Sequence, residues 1–285
     1  MNRDFSSINL TEILEKLKII KNFDLHSGVS VVIPCYQAEK TLIRAINSII
    51  EQTLLPKEII LIDDASTDNT PFLLTSFKEA NPELIKILLL ANNSGVSHAR
   101  NCGWKIASQP YICFLDADDA WHPMKNQIQY EYMIKNRDVF MNSLKSSRFD
   151  LTKDNCKVSK VSKVSKVSKV SKKSLIFKNP IVTSTVMLIN TSEYCFTENK
   201  RYAEDIFLWQ RIIFSGKKIT LIDNYLAYSF KHPYRGEGLS NRLYLMEKEE
   251  LKNFIFLYSK GYISLLYLFY AFIFSLIKFI KRILF

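Results

Sequence analysis

Between residues 29 and 115, short apolar runs alternate with stretches of helical periodicity, and this alternation constrains the chain more than any other feature. Residues 29–33 are apolar, rich in β-branched types and closed by Pro34, as expected of a buried parallel strand. In 41–51 apolar side chains recur at helical spacing: Leu42, Ala45, Ile46, Ile49 and Ile50. Residues 58–62 read as a second buried strand, and Thr70 followed by Pro71 opens another helix, proline being favoured in a first helical turn. Residues 85–90 and 111–115 read as further strands with a helix over about 96–108 between them. The pattern predicts an α/β layer on a mostly parallel sheet, a design that gathers function at the carboxyl ends of its strands. One more strand is expected over 180–189.

The chain has 285 residues, 47% of them apolar and 24% charged, which permits a sizeable core and excludes wholesale disorder. Its charge of +11 has a local origin. Lys157, Lys160, Lys163, Lys166, Lys169, Lys172 and Lys173 crowd one short stretch, and without these seven the charge falls to +4. A nucleic-acid partner is therefore not expected. Five scattered cysteines (Cys35, Cys102, Cys113, Cys156, Cys195), none in a Cys-x-x-Cys pair, argue against a disulfide framework and against a zinc knuckle. Residues 1–27, read as a helical extension, hold no apolar core of signal-peptide type, so a reducing cytoplasm is expected for the body.

From Lys157 the chain repeats Lys-Val-Ser five times. A period of three matches neither a helix face nor a strand face, so 157–173 is expected to be a solvated insertion. A basic arm for anionic lipid or glycan is the other reading. In the tail, 241–285, residues 261–277 are uncharged and would reach only about 25 Å as a helix, short of a ~30 Å hydrocarbon core. Lys260, Ser264, Tyr267, Ala271, Ser275, Lys278 and Arg282 follow steps of three and four and form one weaker stripe. That favours a helix lying in a membrane interface with this stripe toward anionic headgroups, over a core or dimer contact.

Three acidic clusters fall at expected strand ends or helix starts. Asp63-Asp64 follows the second strand, and Asp116-Ala117-Asp118-Asp119 follows the strand over 111–115. Three carboxylates in four residues repel one another unless a cation compensates them, and oxygen-only clusters suit Mg²⁺ or Mn²⁺. The third cluster, Glu204-Asp205, opens a helix, where the macrodipole favours acids.

Val31-Val32-Ile33-Pro34-Cys35-Tyr36, Asp63-Asp64-x-Ser66-x-Asp68-x-Thr70, Gly95-Val96-Ser97-x-Ala99-Arg100-Asn101, Leu115-Asp116-Ala117-Asp118-Asp119 and Glu204-Asp205-x-x-Leu208-Trp209 come in a recognisable order. In order and spacing they resemble the family-2 inverting glycosyltransferases. The resemblance covers about 28–240. It implies a GT-A fold (Rossmann-like, a mostly parallel central sheet flanked by helices), here with a C-terminal apolar helical tail. It also implies a nucleotide-sugar donor, by default the UDP-sugar common in the family, and a divalent metal. By position, Pro34, Tyr36 and Asp64 would hold base and ribose with Asp63 in support. Asp116 would meet ribose or metal-bound water, Asp118 would ligate the metal, and Arg100 would position the nucleotide or the acids. Asp205 would be the base, tuned by Glu204. His232 and Arg235 fall in a segment that in similar enzymes folds over the donor diphosphate, where they would touch phosphate or metal; a plain surface loop is the alternative.

The processive synthases' Gln-x-x-Arg-Trp motif is missing, only Trp209-Gln210-Arg211 following the acidic pair, so transfer of one hexosyl or N-acetylhexosaminyl unit is expected. The acceptor would be a glycan or a lipid-linked glycan of a cell-surface polysaccharide or lipooligosaccharide, and the enzyme would sit at the inner face of the cytoplasmic membrane. Two other readings stand beside this one. A non-catalytic nucleotide-sugar-binding protein would be expected to lose a metal acid or the base. A nucleotidyltransferase would carry a Gly-rich phosphate loop where this chain reads Pro34-Cys35-Tyr36-Gln37.

Overall fold

The computed structural model describes residues 9–20, 26–148, 163–230 and 242–284. In chain order the elements begin with helix α1 (Leu10–Ile20), strand β1 (His26–Cys35), α2 (Leu42–Ile50), β2 (Leu55–Asp63), α3 (Thr70–Ala80) and β3 (Ile85–Leu89). Then come α4 (Val96–Ile106), β4 (Tyr111–Phe114), β5 (Asp119–Trp121), α5 (Lys125–Lys135) and β6 (Val139–Arg148). After the undescribed stretch follow β7 (Val167–Lys169), α6 (Lys172–Phe177), a 3₁₀ turn (Thr183–Thr185) and β8 (Met187–Ile189). The chain closes with α7 (Glu204–Phe214), β9 (Lys218–Ser229), α8 (Leu243–Ser259) and α9 (Leu265–Leu284).

All the described strands join one sheet, ordered β3-β2-β1-β4-β8-β6-β9-β5, with β7 added beside β9. The β3-β2-β1-β4 half is parallel, as the alternation predicts. Its central strands bury Val31, Val32, Ile33, Ile59, Ile60 and Ile62 completely, which is why they read as continuous apolar runs. One core cluster lies on the face covered by α1, α2 and α3, and a second on the face covered by α4, α6 and α7. The N-terminal helix belongs to the first: Ile13 and Leu17 are fully buried, and the Leu17 carbonyl accepts a bond from Asn81 Nδ2 at 3.0 Å.

Helix α4 approaches the sheet most closely at Gly103. A Cβ there would come within 2.4 Å of Val32 Cγ1 and 3.3 Å of Ile62 Cγ1, so only glycine fits. Gly103→Ala is expected to destabilise the fold by about 1–3 kcal/mol, because helix and strands must part to admit the methyl. Urea denaturation measures it, and an unchanged midpoint would contradict the close approach.

Two expectations are corrected. The strand expected over 180–189 is strand only at Met187–Ile189. Before it the chain makes the 3₁₀ turn, in which Thr185 Oγ1 donates to the Val182 carbonyl at 2.6 Å and the run of hydroxyl side chains favours the turn. The described part of the Lys-Val-Ser repeat, though mostly exposed, is not without secondary structure either. Val167–Lys169 pairs antiparallel with β9, Val170 is buried, and Ser165 binds Asn224 Oδ1 through its amide and its hydroxyl. An exposed sheet edge supplied the hydrogen-bond partners that a period of three could not supply as an apolar face.

The tail helix departs from expectation in orientation. Ala271 and Ser275 are buried, the Tyr267 ring lies against Phe177, and Lys278 pairs with Glu250. Within α9 the weaker stripe, from Tyr267 to Lys278, therefore faces the protein, not headgroups, because its small residues let α9 pack closely on α8 and α6. No described helix is long and apolar enough to cross a membrane.

Candidate active site

The acids at the carboxyl ends of β2 and β4 and at the start of α7 are brought to one edge of the sheet by α4. Arg100, on α4 and 3% exposed, holds two of them together. Its guanidinium donates to Asp116 Oδ1 at 2.7 Å through one terminal nitrogen and to Glu204 Oε1 at 3.0 Å through the other. Burial would lower the Arg100 pKa, but the charges of Asp116 and Glu204 outweigh it and raise it, so this cation is permanent. It also packs on the Phe196 ring, 5.1 Å from the centroid.

Asp205 lies beside this bridge. Burial pushes its carboxyl from an ordinary 3.8 up to about 7. The charge on Glu204 adds to the rise, while the Ile206 amide, 2.6 Å away, and Arg100 oppose it. A carboxyl titrating near neutrality is matched to accepting a proton at physiological pH. Glu204 has a different situation, since its Oε1 is committed to Arg100.

The β4 end is braced from below. The Asp116 amide donates to Ser184 Oγ at 3.2 Å, and that hydroxyl donates to Asp119 Oδ2 at 2.6 Å. The Ser184 carbonyl accepts from Trp121 Nε1 at 2.7 Å. Under Trp121 lies the wholly buried Lys125, its ammonium 3.6 Å from the indole centroid and 3.2 Å from Cys113 Sγ. Arg44 donates to the Asp118 carbonyl at 2.7 Å. So held, Asp116, Asp118 and Asp119 offer one carboxylate oxygen each, all within 4.8 Å of one another. An all-oxygen anionic set of this size fits a hard divalent cation such as Mg²⁺ or Mn²⁺.

The β1 and β2 ends are stitched into a shared lip. Gln37 Oε1 accepts from the amides of Thr67 and Asp68, the Gln37 amide donates to Ser66 Oγ, and the Ala38 amide donates to Thr70 Oγ1. Tyr36 stands 54% exposed on this lip, next to the half-buried Pro34. Asp64 has both oxygens engaged by backbone, from the Ser94 and Gly95 amides at 2.8 Å each. It ties the end of β2 to the start of α4, while Asp63 accepts from the Ser66 amide.

Among the described residues four non-glycines have positive φ: Gln37, Ala65, Asn199 and Ala203. Three of them adjoin site residues: Gln37 follows Tyr36, Ala65 follows Asp64, and Ala203, at φ 51°, precedes Glu204. Left-handed backbone in alanine costs about 1–2 kcal/mol and persists where the surroundings enforce it. At Ala203 the carbonyl accepts from Asn253 Nδ2 at 3.2 Å, so α8 helps hold the turn that aims α7 at the site.

Of the residues expected from sequence, Arg100, Asp116, Asp118, Glu204 and Asp205 converge, with Pro34, Tyr36, Asp63 and Asp64 along the adjoining strand ends. His232 and Arg235 lie outside the described residues. Asp119, Arg44, Trp121 and Lys125 were not singled out as supports; a buried lysine has no period-based signal, because its contacts with the Cys113 thiol and the Trp121 ring form only in the fold.

A mixed α/β sheet with strand-end carboxylates on this topology is that of a GT-A glycosyltransferase. The Glycosyl transferase family 2 model matches residues 30–185, and the chain belongs to that family. It is 33% identical over 185 residues to the Escherichia coli UDP-Glc:alpha-D-GlcNAc-diphosphoundecaprenol beta-1,3-glucosyltransferase WfgD, covering 65% of this chain and 69% of that protein. It is 31% identical over 202 residues to the E. coli enzyme WfaP, which bears the same activity name, covering 69% and 76%. A crystal structure of S. aureus TarS residues 1–349 in complex with UDP-GlcNAc has the same fold, with a TM-score of 0.61 and 20% identity. That likeness covers 80% of this chain and 66% of the TarS chain.

Proposed function

We propose that the protein is an inverting enzyme that moves one sugar from a UDP-sugar to a hydroxyl of a lipid-linked glycan, in cell-surface polysaccharide synthesis at the cytoplasmic face of the membrane. The observation that carries this reading is the raised carboxyl of Asp205 beside the Arg100 bridge, close to the three β4 acids. The names of WfgD and WfaP support UDP-glucose as donor and a diphosphoundecaprenol-linked sugar as acceptor.

In a single displacement the acceptor hydroxyl attacks the anomeric carbon opposite the nucleoside diphosphate. Asp205 takes the hydroxyl proton as the new C–O bond forms and the bond to the diphosphate breaks. Glu204, bound by Arg100, lies beside Asp205 and helps to raise that carboxyl. Asp116, Asp118 and Asp119 would hold a divalent cation, which when bound supplies charge neutralisation for the departing diphosphate. Tyr36 and Pro34 form the lip against which the base would lie, with Asp63 and Asp64 fixing its shape. His232 and Arg235 are proposed donor contacts on the same grounds as in the sequence reading.

Asp118→Asn is expected to weaken Mn²⁺-dependent UDP binding at least about tenfold, since it removes one anionic ligand from a site of three. Titration calorimetry with and without Mn²⁺ measures this. Unchanged affinity in Mn²⁺ would overturn the cation site, and UDP-sugar binding with no transfer or hydrolysis would favour a binding protein.

A further inference from the structure

Helix α9 is packed inside out. At about 100° per residue its sequence sorts into two halves. The half carrying Tyr267, Ala271, Ser275 and Lys278 faces the protein, where Ala271 and Ser275 are almost wholly enclosed and Lys278 meets Glu250. Phe272 adds a ring contact with Phe254 of α8. The opposite half is open: Leu266 is 63% exposed, Phe269 60%, Ile277 59% and Leu284 67%, with Tyr270 and Ile273 between them. A water-facing helix would present the reverse arrangement. Rotation cannot cure the exposure, because the polar stripe is already committed to the α8 contact. The open face runs along all 20 residues, about 30 Å. Isolated exposed apolar side chains need no explanation, but a continuous helical face of them does.

We propose that this face docks on the surface of a bilayer with anionic headgroups, α9 lying along the interface with its outer half among the acyl chains. The charge pattern selects that occupant over a second copy of the chain. Lys281 is exposed at the margin of the open face, beside Ile277 and Leu284, and α9 contains no Asp or Glu. Against a second copy of the same face, Lys281 would meet no acidic partner, since α9 has none. Against a bilayer, its stem lies along the apolar boundary while its ammonium reaches lipid phosphates. Lys260, exposed just before α9, adds a second cation. Since no described helix is long and apolar enough to cross, the helix lies on the membrane. The inference stands independently of the sugar chemistry.

The test is flotation of the full chain with phosphatidylcholine vesicles, with and without phosphatidylglycerol. The parent is expected to float with the anionic vesicles. The triple variant Phe269→Glu, Ile273→Glu, Ile277→Glu changes only exposed positions and is expected to lose at least about tenfold in partitioning. Its unfolding temperature in buffer is expected to match the parent's, which separates lost docking from misfolding. Lys281→Glu is expected to weaken binding to anionic vesicles more than to neutral ones. Three results would overturn the proposal: a parent that stays with the soluble fraction, a triple variant that floats like the parent, or a lipid-free parent dimer that the triple change converts to monomer.

Discussion

Asp205→Asn is expected to reduce turnover by about 10²–10⁴-fold while leaving UDP-sugar affinity near that of the parent, because an amide cannot take a proton but occupies the same space. In the parent, kcat/KM is expected to fall as pH drops through about 7, where the carboxyl protonates and ceases to be a base. Stability runs the opposite way. The folded-state pKa lies above the ordinary 3.8, so the native state binds the extra proton between those values, and stability declines as pH rises from about 4 to about 7. Above pH 7 the buried charge is a standing cost that asparagine removes. The variant is therefore expected to unfold at the same or a higher temperature than the parent at pH 8. Measured kcat within about threefold of the parent would remove Asp205 from the chemistry.

Arg100→Met is expected to produce the largest structural loss. It leaves Asp116 and Glu204, whose side chains are only 23% and 14% exposed, facing each other without their shared cation. Breaking a buried pair from one side costs about 3–5 kcal/mol. Because Arg100 also lowers the Asp205 carboxyl, its removal is expected to move the acid limb of the pH–rate profile to higher pH. Arg100→Lys keeps a charge but lacks the fork that reaches both acids, so it is expected to restore the pH limb more than the stability. Denaturation in urea and rate profiles of both variants measure this. A methionine variant within about 1 kcal/mol of the parent, with an unmoved acid limb, would assign the bridge no part in either.

The parallel half of the sheet was legible in sequence because strands covered on both faces must be apolar along their covered length, as 31–33 and 59–62 are. The other half was not. β5 is three residues long, too short for any period, and β6 shifts register against β9 at Val139/Met141 and around Lys145, which disrupts alternation. The acids that line the site were legible because repulsion among clustered carboxylates demands a partner. That partner arrangement was less so. Arg100 was expected near the acids, yet its division between Asp116 and Glu204 depends on α4 meeting α7 across about a hundred residues of chain, a tertiary fact. Gly103 escaped notice because a helical glycine carries no signal until the strand beneath it is known. In α9 the spacing of the weak stripe was read correctly and its direction was not, because periodicity identifies two faces without saying which one meets the protein.

The central claim is that one carboxylate deprotonates an acceptor that attacks opposite the diphosphate in a single step. The most direct measurement is the anomeric configuration of the product formed from an α-linked donor such as UDP-glucose, read by proton NMR of the isolated glycan. The arrangement around Asp205 predicts a β-linked product from the first turnover, and an α-linked product would contradict it.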